Sequence, residues 1–277
     1  MKRLITSILI ACLTSLAWCK EYTVYGPQGG LDMTITLPKN FNTATDSCPM
    51  VILMHGIFAS KDITPMPTIA KELAKKGIAS IRFTFGGHWT SEGEMVKMTI
   101  AKELEDAQAM WTYAEQLPYI TQIGLLGHSQ GGVIASMTAG ILTQKETHKK
   151  PSALALLAPA SILKDACLNG HILGTKFDPI NPPEYIRCFG SMKLGKEYIR
   201  YAQQMEVFAT AQAYKGPVQI IHGSNDKIVP LSCSQDFKNT YGNQAQMTII
   251  PNENHRLSKH TKHIAQLVTT FFLQQLQ

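Results

Sequence analysis

At 277 residues and 44% hydrophobic content, the chain can bury one sizeable core, and its length falls within the range of a single α/β domain. Setting aside Lys2 and Arg3 lowers the formal charge from +6 to +4; the other basic residues are scattered apart from pairs such as Lys75-Lys76 and Lys149-Lys150. That is a solubility charge and gives no ground for a nucleic-acid partner.

Lys2 and Arg3 precede an apolar segment over residues 4–16 that is too short to span a bilayer, and Ser15 and Ala17 have the spacing of a cleavage site. Residues 1–19 therefore read as a secretory signal, cut after Ala17 or Cys19, and the mature domain is expected over 20–277, exported to the periplasm or the medium with no stable membrane span. A lipid anchor on Cys19 is the rival reading, which the bulky Trp18 disfavours. Cys12 and Cys19 belong to the signal; Cys48, Cys167, Cys188 and Cys233 show no C-x-x-C spacing for zinc or redox chemistry. Cys167 and Cys188 could pair after export, or all four could be buried thiols.

Short alternating runs over 22–25 and 31–37, around Gly26-Pro27-Gln28-Gly29-Gly30, predict an N-terminal hairpin. Beyond it, continuous apolar runs at 50–54, 78–83, 123–126, 153–157, 218–221 and 247–250 alternate with helical patterns, as at 69–76 and 100–116. Strands that are apolar on both faces and separated by helices predict a mostly parallel sheet covered on each side. The segment from Pro159 to about Phe208 breaks this rhythm with seven glycines and prolines and one clear helix over 196–206, so residues 161–207 are expected to form an inserted cap.

The chemistry centres on Gly127-His128-Ser129-Gln130-Gly131, a G-x-S-x-G run between a buried strand and a small-residue helical stretch. This is the pattern of a nucleophile elbow, a sharp strand-to-helix turn that lifts a serine above the sheet edge. Serine needs a base to take its proton, and the base needs an acid to fix its tautomer; both are expected downstream, acid first. Asp226 follows the run at 218–221 and His255 follows the run at 247–250, both at strand ends where ligands gather in open α/β sheets. Asp236 and Asp178 compete with Asp226, and His260 and His263 compete with His255, although a solvated face of a terminal helix accounts for those two; Ser224 lacks the elbow glycines. The oxyanion needs two backbone N–H donors, expected from Gln130 and from Ile57, with Phe58 second, in the loop His55-Gly56-Ile57-Phe58. His55, His128 and His222 read as structural. No carboxylate pair, metal cluster or phosphate-cradling loop competes, so neither metal nor cofactor is expected.

These residues, together with Arg82-Phe83-Thr84-Phe85-Gly86-Gly87-His88, Ser91-Glu92-Gly93, Leu157-Ala158-Pro159-Ala160 and His222-Gly223-Ser224-Asn225-Asp226, resemble the bacterial feruloyl and cinnamoyl esterases of the α/β-hydrolase fold, from about residue 22 to the C-terminus. The resemblance implies a serine carboxylesterase acting on hydroxycinnamate esters of small alcohols or plant polysaccharides through an acyl-enzyme, with a cap that holds the aromatic acid. It implies substrate contacts at Tyr198 and, within one position, at Asp165; Leu173 stands where relatives carry a cap glutamine, Thr84 for a usual acidic residue and Trp89 for a usual glycine. Tyr198 also fits an ordinary amphipathic-helix aromatic, and Asp165 a helix cap. The rival functions are a short-chain acyl or monoacylglycerol-type esterase and a non-catalytic binding protein on a hydrolase scaffold. Oligomeric state leaves no mark in the sequence.

Overall fold

The computed structural model describes residues 23–276; the signal read over 1–19 lies outside the described residues. Seven strands form one sheet: β1 (Met33–Thr36), β2 (Cys48–Met54), β3 (Ala79–Phe83), β4 (Ile120–His128), β5 (Pro151–Leu157), β6 (Val218–Gly223) and β7 (Ala245–Ile250). Their order across the sheet is β7-β6-β5-β4-β2-β3-β1, parallel throughout except β1, which runs antiparallel to β3 with Met33 opposite Phe83.

The continuous apolar runs follow from this topology. Met50, Ile52 and Met54 of β2 feed one core, and the alternate residues Val51 and Leu53 feed the other, so the strand from Met50 on is buried on both helix-covered faces. The larger core lies under α2 (Ile100–Gln116), α3 (Gln130–Gln144) and α7 (Leu231–Tyr241), and includes Met110, Trp111, Ile134 and Phe237. The smaller lies under α1 (Met66–Lys75) and α8 (Thr261–Gln275), through Ile69, Leu73, Ile264, Val268 and Phe272. Thr99 starts α2 by accepting the Lys102 N–H on its side chain at 3.2 Å.

Two expectations change. The N-terminal ladder is only Tyr25–Gly26 against Gly29–Gly30, and the second run pairs with β3 at the sheet edge instead of closing a hairpin. Between β5 and β6 the chain forms three short helices rather than one, α4 (Leu163–Leu168), α5 (Lys196–Gln204) and α6 (Val207–Ala211), with two hairpins, His171–Ile172 with Thr175–Lys176 and Tyr185–Cys188 with Met192–Gly195. Cys48, Cys167, Cys188 and Cys233 are all buried free thiols, and burial, with Cys188 nearby, pushes the Cys167 thiol up to about 12.

Candidate active site

Ser129 sits between β4 and α3 at φ +57°, a conformation that costs a non-glycine residue on the order of 1–3 kcal/mol and must be imposed by its surroundings. The imposition is visible. The Ser129 N–H donates to Leu157 O at 2.9 Å, and its carbonyl accepts from Gly132 and Ala160 at 2.9 and 3.1 Å. Side chains at the flanking glycines would collide with backbone: a Cβ on Gly127 meets the Gly131 carbonyl, and one on Gly131 meets those of Met54 and His55.

His255 Nε2 lies 2.9 Å from Ser129 Oγ, and His255 Nδ1 lies 2.7 Å from Asp226 Oδ2. Burial alone would raise the Asp226 carboxyl, but hydrogen bonds from His222 and His255, the nearby His255 charge and the Val229 N–H outweigh it and hold it well below the usual carboxylate range. An ionised Asp226 accepts the Nδ1 proton of His255, which turns the Nε2 lone pair toward the serine hydroxyl. Hydroxyl, base and acid are thus in series, the arrangement that lets a serine attack an acyl carbon.

The sequence competitors are elsewhere. Asp236 is exposed on α7, and Asp178 is exposed and caps its own turn through the Ile180 and Asn181 amides. His263 is exposed on α8; His260 bonds Glu253 Oε2 through Nδ1 at 3.1 Å; Ser224 is exposed and accepts the Asn252 N–H at 2.9 Å.

The loop after β2 lies against the serine: a Cβ on Gly56 would stand 2.9 Å from Ser129 Cβ and 3.4 Å from its Oγ. None of the Ile57, Phe58 and Gln130 amides donates to an acceptor among the described residues, which leaves them available to an oxyanion. His55 holds this loop. Its Nδ1–H donates to Gly56 O at 2.7 Å, its Nε2 accepts the Phe85 N–H at 3.0 Å, and burial keeps the ring neutral by driving its pKa far down.

Three further residues act on the site that the sequence reading left as structural or passed over. His222 Nε2 lies 3.0 Å from Val229 O and 3.2 Å from Asp226 Oδ2, so its proton is a second donor to the acid. His128 ties the end of β4 to the loop of His255. Glu253 frames that loop, accepting from the Asn254, Lys259 and His260 amides at 2.8, 3.2 and 2.5 Å. The signal available was position: His222 is the last residue but one of the strand before the acid, and Glu253 lies two residues before the base.

The three residues expected in the cap lie in three different settings. Tyr198 is completely buried, and its hydroxyl donates to Gln130 Oε1 at 2.7 Å, a protein partner where the resemblance implies a substrate ring. Asp165 is exposed on α4 and lines a surface cavity of about 230 Å³ with Ser161, Phe208, Cys233 and Asp236, whose walls include none of Ser129, Asp226 and His255. Leu173 stands at a hairpin tip at φ +49°, half-buried against the larger core. An aromatic group instead borders the loop after β2: Trp89, 65% exposed, donates its indole N–H to Phe58 O at 3.0 Å, and Phe189, 66% exposed, meets the Phe58 ring edge-on at 6.3 Å.

The sequence profile of a family described as serine aminopeptidase, S33, matches residues 45–177. The structure of Est1E from Butyrivibrio proteoclasticus with ferulic acid bound is 30% identical to the chain, covers 89% of this chain and 95% of that one, and superposes with a TM-score of 0.83. Est1E alone gives 29% identity, coverage of 89% and 94%, and a TM-score of 0.79. A 31.7 kDa protein from the traX-finO intergenic region of Escherichia coli is 33% identical over 86 residues, 30% of each chain, so the chain spans under a third of the length of the first curated relatives it matches.

Proposed function

The chain belongs to the bacterial feruloyl and cinnamoyl esterase family of the α/β-hydrolase superfamily, and on that premise we propose that it is a serine carboxylic ester hydrolase. The observation that carries the reading is the hydrogen-bonded series from Ser129 Oγ through His255 to Asp226. In the proposed reaction Ser129 attacks the ester carbonyl while His255 takes its proton, and His255 then returns the proton to the departing alcohol. Asp226 keeps Nδ1 protonated and stabilises the imidazolium. The amides of Ile57 and Gln130 bind the oxyanion, and water repeats the sequence on the acyl-enzyme. No cofactor enters this chemistry.

A hydroxycinnamate ester is the proposed substrate, its alcohol a small molecule or a plant polysaccharide. Support comes from the likeness to Est1E with ferulic acid bound and from the aromatic border of Phe58, Trp89 and Phe189 beside the oxyanion loop. Lys2, Arg3 and the apolar run after them support export as part of the same proposal.

Two measurements test it. Ser129→Ala is expected to lower kcat by on the order of 10³-fold or more, because nucleophile, base and acid act as a unit; a loss below tenfold defeats the serine mechanism, and equal near-zero hydrolysis by wild type and variant across an ester panel favours a binding protein. Methyl ferulate is expected to have a higher kcat/KM than p-nitrophenyl butyrate. A strong aliphatic preference replaces the hydroxycinnamate reading with that of a short-chain esterase.

A further inference from the structure

Behind the elbow lies a line of buried polar side chains that the proposed reaction does not use. Glu103, in the first turn of α2, is 1% exposed and accepts the Gln130 Nε2–H on Oε2 at 2.6 Å. Gln130, also fully buried, accepts the Tyr198 hydroxyl on its other amide atom. Among the described residues Glu103 Oε1 has no hydrogen-bond partner; it faces His88 Nε2 at 3.8 Å, which has none either.

Chemistry assigns the protons. His88 Nδ1 lies 3.4 Å from Gly86 O, which can only accept, so Nδ1 carries the proton and Nε2 is bare. Burial first, and then the neighbouring Asp106, pushes Glu103 well above the carboxylate range, while burial drives His88 down to about 4. Burial thus favours the neutral acid at Glu103, and its Oε1 faces the bare His88 Nε2 at 3.8 Å, beyond hydrogen-bond reach. The hydrogen bonds run one way, from Tyr198 to Gln130 and from Gln130 to Glu103, and the Gln130 amide has a single satisfied orientation. Burying four polar side chains costs more than filling the same space with apolar ones, so the line calls for a role beyond packing.

We propose that Glu103 and Tyr198 are positioning residues: by holding both ends of the Gln130 side-chain amide they aim its backbone N–H at the oxyanion, so the hole is complete only while the inserted segment is seated on the elbow. This rests on the serine-esterase reading above. Tyr198 is brought by α5 and Glu103 by α2, and Gln130, the residue after Ser129, bonds both of them.

The test compares E103Q, E103L, Y198F and the E103L/Y198F double variant with wild type. Readouts are kcat and KM on p-nitrophenyl acetate, which has no acyl ring, and inhibition by phenylboronic acid, whose tetrahedral adduct places an oxygen in the hole. Active sites are counted by a phosphonate burst. E103L and Y198F are each expected to lose about tenfold in kcat per active site with KM within about threefold, and to weaken the boronate by a similar factor. E103Q, which keeps an oxygen that accepts from Gln130, stays within about threefold of wild type, and the double variant loses no more than the worse single one. Wild-type kcat and boronate affinity in both E103L and Y198F, an E103Q loss equal to that of E103L, or additive losses in the double variant each overturn the proposal. If E103L does not fold, Y198F decides through the same two readouts, wild-type values overturning it. Ser129→Ala runs in parallel: activity in that variant sinks the serine mechanism itself, whereas an inactive Ser129→Ala beside fully active E103L and Y198F sinks only this inference.

Discussion

The Nε2 of His128 donates to the carbonyl oxygen of His255 at 2.8 Å, a bond that joins the residue before Ser129 to the backbone of the residue that Ser129 Oγ faces. The carbonyl can only accept, so the proton is on Nε2; burial, followed by the proximity of His255, lowers the His128 pKa to about 3 and keeps the ring neutral. β4 and β7 are three places apart in the sheet, and this bond spans them directly. His128→Leu leaves the His255 carbonyl without its donor and frees the loop to shift by tenths of an ångström. We expect kcat to fall about tenfold with KM nearly unchanged, and His128→Gln, which keeps an N–H at the same reach, to stay within about threefold. Steady-state kinetics on one aryl ester checks this, and an unchanged kcat in His128→Leu removes His128 from the positioning of the base.

Asp106 gives the fold a pH signature. Its Oδ2 accepts the Gly86 N–H at 2.8 Å and its Oδ1 has no partner among the described residues; burial raises its pKa from 3.8 to about 7 against the opposing effect of that hydrogen bond. A carboxyl that keeps its proton longer folded than unfolded adds stability below the unfolded value, and that stability is lost as pH rises from about 4 through about 7. The melting temperature of the wild type is therefore expected to fall between pH 5 and pH 8. Asp106→Asn keeps the acceptor for Gly86 and has no charge to bury, so its gain over wild type is larger at pH 8 than at pH 5. Thermal melts at the two pH values decide it: an equal or smaller gain at pH 8 contradicts the assignment. Glu103, raised on the same helix, leaves part of the slope in the variant.

How much of this was legible depended on where the information sat. Strands such as Cys48–Met54 are buried on both faces, so their identity is written in a continuous apolar run, and the elbow is written in glycines whose side chains would strike backbone. Ser129 and Asp226 each follow such a strand, His255 follows the half-exposed edge strand β7, and their order along the chain is enough to pick them out. The partner of the run at 31–37 was not legible, because alternation marks a half-buried edge strand whichever neighbour it pairs with. Helices of six and five residues, α4 and α6, complete too few turns to show a period. The line from Tyr198 to Glu103 was invisible for another reason: its bonds join residues 68 and 27 positions apart, and such separations leave no periodic mark in the chain.

Gly56 gives a steric test of the oxyanion loop. A methyl group there would stand 2.9 Å from Ser129 Cβ, closer than side chains tolerate, and would displace either the serine or the loop that carries Ile57. Gly56→Ala is expected to lower kcat by about 10 to 100-fold while changing the melting temperature little, since the clash can relax into the site rather than the core. A variant that keeps full activity shows that the loop yields without moving the oxyanion donor.

Tyr198 also bears on which ring the proposed substrate carries. Its hydroxyl is committed to Gln130 at 2.7 Å, and Leu173 offers no polar atom where relatives are expected to carry a glutamine. A site that hydrogen-bonds a substrate hydroxyl rejects the analogue lacking it by orders of magnitude, whereas a site without such a partner barely distinguishes them. Methyl ferulate and methyl cinnamate are therefore expected to differ by less than about threefold in kcat/KM, and Tyr198→Phe to lower both by the same factor. If Tyr198→Phe penalises ferulate and spares cinnamate, the hydroxyl leaves Gln130 for the substrate during turnover. Equal losses place its role on the enzyme side of the reaction, where the phenol steadies the residue next to Ser129 and the ring is selected by shape alone.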